Sequence, residues 1–212
     1  MKKFYRLIYK ISTAFFGKYY HYQVFGLQNI PPEMFNRGLI LASNHNSYFD
    51  PPLLGAAWPE ELHYLAAEKL FKIPIFGFII KRLNAHPIAG KLQDIHSFKM
   101  MSKLIQDNKK IVIFPEGGIS KNGQLKPFKL GVAMLALRAR CPIIPVYIHG
   151  SFEAWPGHKK HPTFPGKISC VFGSPIFIEP YLSLEKKQAY ATLTKKLKEE
   201  IENLRLWLEN QN

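Results

Sequence analysis

The sequence predicts an α/β domain: a mixed, largely parallel central sheet flanked by helices, with an N-terminal amphipathic helix ahead of it. Three observations predict this. Short apolar runs of strand length alternate along the chain with stretches of helical periodicity. Of the 212 residues, 47% are hydrophobic, enough to bury a substantial core. Two of the apolar runs end directly in polar residues and glycines, where an open α/β sheet places its ligand crevice. The expected division is a helix over 1–20 and a single α/β domain over 21–212 that includes a C-terminal helix.

The first stretch sets Phe4, Leu7, Ile8, Ile11 and Phe15 at helical spacing, with Lys2, Lys3, Arg6 and Lys10 among them. Two readings fit: a helix lying in a membrane interface, which the aromatics and lysines favour, or a helix packed on the protein's own core. Arg6 and Lys10 interrupt the apolar part and no small-residue cleavage site follows it, so a signal peptide is not expected. "VFGL" near Val24 is a candidate strand. "GLILASN" (38–44), "ELHYLAA" (61–67), "KIVIFPE" (110–116), "PIIPVYI" (142–148) and "ISCVFG" (168–173) are five more. "DPPLLGAAW" starts with Asp50 and Pro51, a helix N-terminus with Asp50 as the cap. "EKLFKIPIFGFIIKRL" (68–83) is rich in Phe and Ile but broken by Pro74 and Gly77. It reads either as a bent core helix or as an apolar surface near the site for acyl chains or membrane docking. Residues 93–109 place Ile95, Phe98, Met101, Leu104 and Ile105 on one helical face. "KLGVAMLALRA" (129–139) is apolar almost all round and therefore buried. The final helix carries Tyr190, Leu193, Leu197, Ile201, Leu204 and Leu208 at 3/4 spacing.

Composition narrows the function. The formal net charge is +14, and sixteen Phe, ten Tyr and three Trp accompany it. Such a chain suits an anionic membrane surface, nucleic acid or acidic substrates. The lysines are scattered and no nucleic-acid-binding signature occurs, so no nucleic-acid partner is expected. Cys141 and Cys170 are far apart, which argues against a disulfide framework or zinc site and for a reducing compartment. No run of about 18 apolar residues is present to span a bilayer.

Two polar clusters carry the chemistry. In "SNHNSYFDPP", His45 follows the run "GLILA" closely, and Asp50 follows after four intervening residues. Histidine is the usual general base near neutral pH, and a carboxylate on its far nitrogen fixes its tautomer. The plainer reading is a helix cap beside a hydrogen-bonded core histidine; capping and orienting are compatible, since a carboxylate has two oxygens. In "FPEGGIS", Glu116, Gly117, Gly118 and Ser120 form a tight loop whose amides can bind an anion or an oxyanion. Glu116 could accept a substrate hydroxyl. The plainer reading is a turn with glycines at positive φ. There is no G-x-S-x-G elbow, H-E-x-x-H, G-x-G-x-x-G or Walker loop. His158 and His161 read as solvated, and His63, His86, His96 and His149 show no partner pattern.

"NHNSYFDPPLL" followed by "FPEGGIS", with "PFKLGVAMLALRARCPIIPVYIHG" downstream, resembles the glycerolipid acyltransferases of the 1-acylglycerol-3-phosphate acyltransferase type. The similarity runs over about residues 20 to 180, most of the chain. The resemblance implies that His45 deprotonates an acceptor hydroxyl with Asp50 orienting it, and that Glu116, Gly117, Gly118 and Ser120 bind the acceptor. It implies a thioester donor, acyl-carrier protein or coenzyme A, a lysophospholipid acceptor and no metal or other cofactor. It also implies a peripheral place on the cytoplasmic side of a membrane. The sequence departs from the pattern at the family's phosphate-binding arginines. Asn84 stands at a glycine position, Gly90 where one arginine belongs, and Ile119 where the other does. Lys91 or Lys121 could substitute, or the acceptor lacks a phosphomonoester. A non-catalytic basic membrane or nucleic-acid binding protein is the alternative from another class.

Overall fold

A computed structural model describes residues 1–88 and 95–211. Among these, seven strands form one sheet: β1 (Gln23–Phe25), β2 (Leu39–Ser43), β3 (Leu62–Ala67), β4 (Ala85–Ile88), β5 (Lys110–Ile113), β6 (Ile143–His149) and β7 (Ser169–Phe172). Their spatial order is β1-β7-β6-β2-β5-β3-β4. Every neighbouring pair is parallel except β6 with β7, which run antiparallel. The mixed, largely parallel sheet is as the alternating runs predict.

Helices cover both faces. On one side lie α1 (Lys3–Tyr20) and α2 (Asp50–Ala57); on the other lie α5 (Ile95–Gln106), α6 (Gly131–Ala139) and α8 (Lys186–Glu209). Strand β2 shows how period-two alternation divides the core. Leu39 and Leu41 join Leu53, Leu54 and Trp58 beneath α2, while Ile40 and Ala42 join Met101, Ile105 and Leu193 beneath α5 and α8. The end of α8 follows its expected stripe, with Leu193, Leu197, Ile201 and Leu208 buried.

One face of helix α1 packs on the protein's own core. Tyr5, Phe16 and Tyr20 are buried, and Phe15, Phe16 and Tyr20 pack edge-on around Phe49. Leu7 and Ile11 stay exposed. A short helix, α7 (Ser151–Ala154), follows β6, and the broken stretch 68–83 forms two more, α3 (Glu68–Phe71) and α4 (Phe76–Arg82). Ile73, Ile75, Phe76 and Phe78 are exposed there, so it is an apolar surface and not a bent core helix. Pro74 and the turn before α4, where Ile75 takes φ 65°, prevent a continuous helix.

Three further local expectations change. Strand β4 lies in "LNAHPIAGK", where no apolar run marks it; it pairs with the edge of β3, and an edge strand tolerates Pro87. Ile95 is exposed rather than on the buried face of α5. His63 and His86 are not solitary: they sit on β3 and β4, 2.9 Å apart between Nδ1 and Nε2, with stacked rings. Gly90 and Lys91 lie outside the described residues.

Candidate active site

Strands β2 and β5 are neighbours, with Ala42 opposite Ile113, so the segments that follow them leave the sheet side by side at its C-terminal edge. Asn44 fixes the first of these segments. Fully buried, it does not line the crevice; its side chain donates to the carbonyl of Ile148 (2.9 Å) and accepts from the Ile148 N–H (2.7 Å). One amide thus replaces a backbone pair in the ladder to β6, so the next residue must turn out of the sheet. That residue is His45.

His45 Nδ1 lies 2.8 Å from Asp50 Oδ2. The same oxygen accepts the N–H groups of Asn46 (2.7 Å) and Ser47 (2.8 Å). This corrects the expectation that Asp50 caps α2. Asp50 is the first helical residue, and its carboxylate turns back to the loop instead of forward to the helix amides. The helix dipole still favours a negative charge there. The imidazole also lies flat on Phe114, with centroids 3.9 Å apart and planes 16° apart. Two partners therefore fix the ring: a carboxylate at its edge and an aromatic face beneath it.

An ionised carboxylate can only accept, so Nδ1 carries the proton and Nε2 keeps its lone pair. The His45 side chain is 15% exposed and that of Asp50 is 0%. The imidazole reaches solvent while the carboxylate stays dry. Among the described residues, no protein group hydrogen-bonds Nε2.

The second loop braces the first. Glu116 Oε1 accepts the His45 N–H (2.9 Å) and Oε2 accepts the Lys126 N–H (3.2 Å). Ser120 N–H donates to the His45 carbonyl (2.7 Å), and its hydroxyl donates to the Gln124 carbonyl (2.9 Å). Both side chains are buried. Glu116 and Ser120 hold the His45 loop from behind. Burial pushes the Glu116 carboxyl above its ordinary value, against the pull of the two amides and of Lys126. Gly117 is exposed at φ 73°, and its N–H closes a turn onto the Phe114 carbonyl (3.0 Å). Gly118 is half-buried. Lys121, a candidate for the missing arginines, is exposed on the same loop.

Phe114 and Lys126 escape sequence reasoning as site residues. Phe114 sits in the quoted motif, yet nothing in the one-dimensional pattern says that its ring would floor the imidazole. Nor does spacing reveal that Lys126 closes the loop by donating from Nζ to the carbonyls of Gly118 (2.5 Å) and Ile119 (3.2 Å).

No serine, threonine or cysteine side chain is hydrogen-bonded to His45 among the described residues. Both cysteines are buried, with their thiols pushed up to about 12 by desolvation. The fold and the site set a buried carboxylate against a partly exposed imidazole at the C-terminal edge of a largely parallel sheet. The chain belongs to the acyltransferase family: residues 21–149 match the Acyltransferase family model. It is 26% identical over 183 residues to the 1-acyl-sn-glycerol-3-phosphate acyltransferase of Bacillus subtilis (strain 168), covering 86% of this chain and 87% of that one. It is 30% identical over 165 residues to the enzyme of that name from Pseudomonas aeruginosa, covering 74% and 60%. Against the chloroplastic relative from Brassica napus it spans about half of the longer chain, 51%. The crystal structure of the 1-acyl-sn-glycerophosphate (LPA) acyltransferase PlsC from Thermotoga maritima superposes with a TM-score of 0.77 at 25% identity, covering 95% of this chain and 79% of that one.

Proposed function

We propose that this chain transfers a fatty acyl group from a thioester to the free hydroxyl of 1-acylglycerol-3-phosphate, forming phosphatidate. His45 Nε2 takes the hydroxyl proton as the oxygen attacks the thioester carbonyl carbon. The carbon–sulfur bond breaks as the tetrahedral oxyanion collapses, and the imidazolium returns its proton to the departing sulfur. Asp50 stabilises the imidazolium between these steps. The donor is the thioester of acyl-carrier protein or of coenzyme A, and no further cofactor takes part. The observation that carries this reading is the His45–Asp50 contact on a partly exposed imidazole whose Nε2 has no hydrogen-bond partner among the described residues.

The acceptor and product are lipids, and two exposed apolar elements suit a bilayer surface. Arg82 lies over the rings of both Phe4 (5.7 Å) and Phe78 (4.4 Å), joining α1 to α4. The exposed Leu7 and Ile11 of the first helix and Phe76 and Phe78 of the second are flanked by Lys3, Lys10, Lys72 and Lys81. Among the described residues no helix is long and apolar enough to cross a membrane. These features support peripheral docking on anionic lipid at the cytoplasmic face.

The test is thiol release from acyl-coenzyme A and acyl-carrier protein, with and without lysophosphatidate, for the wild type and His45→Ala. The expected result is acceptor-dependent release that the variant loses by at least about a thousandfold while its circular dichroism is retained. Full activity in the folded variant would sink the assignment. A panel adding lysophospholipids without a phosphomonoester addresses the alternative acceptor that Ile119 raises.

A further inference from the structure

The family's phosphate-binding arginine is absent at Ile119, and an acceptor with a phosphomonoester still needs a cation near His45. We propose that Lys129 supplies it; this rests on the lysophosphatidate reading above. A β-carbon built on Gly117 would lie 2.3 Å from Lys129 Nζ and 2.7 Å from its Cε. The ammonium group therefore occupies the space that a side chain at 117 would fill. Lys129 is anchored at its backbone, where its N–H donates to the Pro115 carbonyl (2.9 Å), so the side chain returns over the loop it helps to shape. Its Nζ has no hydrogen-bond or ion-pair partner among the described residues, and it is exposed.

The neighbouring lysine is different. Lys126 Nζ is committed to the carbonyls of Gly118 and Ile119. In a planar trans peptide the N–H points opposite to the C=O, so the Ile119 N–H is turned away from Lys126. The N–H groups of Gly118 and Ile119 find no acceptor among the described residues. One uncommitted ammonium and two uncommitted amides on one glycine turn are the donor set that a phosphate oxygen requires. Gly117 follows Glu116, whose carboxylate holds the His45 backbone, so the loop under the ammonium is bonded to the loop that carries the base. In lysophosphatidate the reacting hydroxyl is only a few bonds from the phosphorus, which matches this adjacency. Lysine supplies a point charge where the family's arginine would supply a bidentate fork.

The test compares two acceptors that differ only in the phosphate, lysophosphatidate and 1-acylglycerol, using the full chain in mixed micelles and a fixed acyl thioester. The readout is the ratio of kcat/KM for the two. In Lys129→Gln this ratio falls about 10- to 100-fold, the range expected for losing one partly solvated charged hydrogen bond. Lys129→Arg restores most of it. Gly117→Ala, which displaces the ammonium without deleting it, lowers the ratio in the same direction. A ratio unmoved in Lys129→Gln overturns the assignment, as does an equal loss on both acceptors, which marks a structural role. A wild type that prefers neither acceptor overturns it as well. A wild type that releases thiol with no acceptor at all fails the acyltransferase reading first, and so separates the two failures.

Discussion

Asp50→Asn is the sharpest perturbation of the site because it removes the charge and can keep an oxygen where Oδ2 accepts. The amide oxygen can still accept from His45 Nδ1 and from the N–H groups of Asn46 and Ser47, which all converge on Oδ2. What is lost is the attraction between carboxylate and imidazolium. With the charge centres roughly 4 Å apart and an effective dielectric of about 20, that attraction is about 4 kcal/mol. It is largely absent while the imidazole is neutral, so the loss falls on the transition state. At about 1.36 kcal/mol per factor of ten, kcat drops about a thousandfold. Stability should move far less. Weakening two charged hydrogen bonds costs about 1–2 kcal/mol, and burying a neutral amide in place of an ion offsets part of it. At about 2–4 °C per kcal/mol for a chain of this size, Tm shifts by a few degrees. The assay is initial-rate thiol release at saturating donor and acceptor, paired with thermal unfolding. A folded Asp50→Asn protein within about tenfold of wild-type kcat would refute the argument that Asp50 acts through its charge.

Two other perturbations probe the scaffold. Glu116→Gln puts an NH2 where one of two backbone N–H groups needs an acceptor. About 1–3 kcal/mol of stability and at least about tenfold in kcat should go together; loss of neither in unfolding and rate measurements contradicts the bracing role. The His63–His86 pair predicts acid sensitivity. Burial first, then the neighbouring His86, Lys109 and Lys2, pushes His63 down to about 4 from its ordinary 6.5, and burial and Lys2 push His86 down too. The unfolded chain therefore takes protons that the native one refuses. The stability is complete above about pH 6.5 and drains away as pH falls towards about 4. For His63 alone, going from pH 7 to pH 5 removes about 2 kcal/mol. Urea titrations at both values should show this, and His63→Phe should flatten the difference. An equally steep pH dependence in His63→Phe would assign it elsewhere.

The sheet was legible because its strands are buried on both faces and so appear as near-continuous apolar runs, as in "GLILA" and "IVIF". β4 was illegible for the converse reason: at the sheet edge Ala85, His86 and Pro87 need no such run. The dyad's spacing was visible, but the direction of the Asp50 carboxylate was not. An Asp before two prolines specifies a helix start, and only the folded loop decides whether its oxygen finds amides ahead or behind. The same limit hid the His63–His86 pair. Their contact depends on β3 lying beside β4, which no local pattern records.

The architecture also explains why the second motif contains a buried glutamate. His45 sits in an irregular segment beyond β2, where no ladder restrains it. Its backbone N–H and C=O must both find partners, or the imidazole would wander from the cleft. Glu116 and Ser120 provide them from the segment beyond β5, and the parallel pairing of β2 with β5 brings the two together. The cost is a carboxyl that burial disfavours in its ionised form. A backbone carbonyl could have accepted the His45 N–H more cheaply, but one carboxylate reaches two N–H groups at once, those of His45 and Lys126. It ties the catalytic loop to the same turn that carries Lys129. Fixing the base and placing the cation are then one structural event: a change that loosens Glu116 should disturb the chemistry at His45 and the preference for a charged acceptor together.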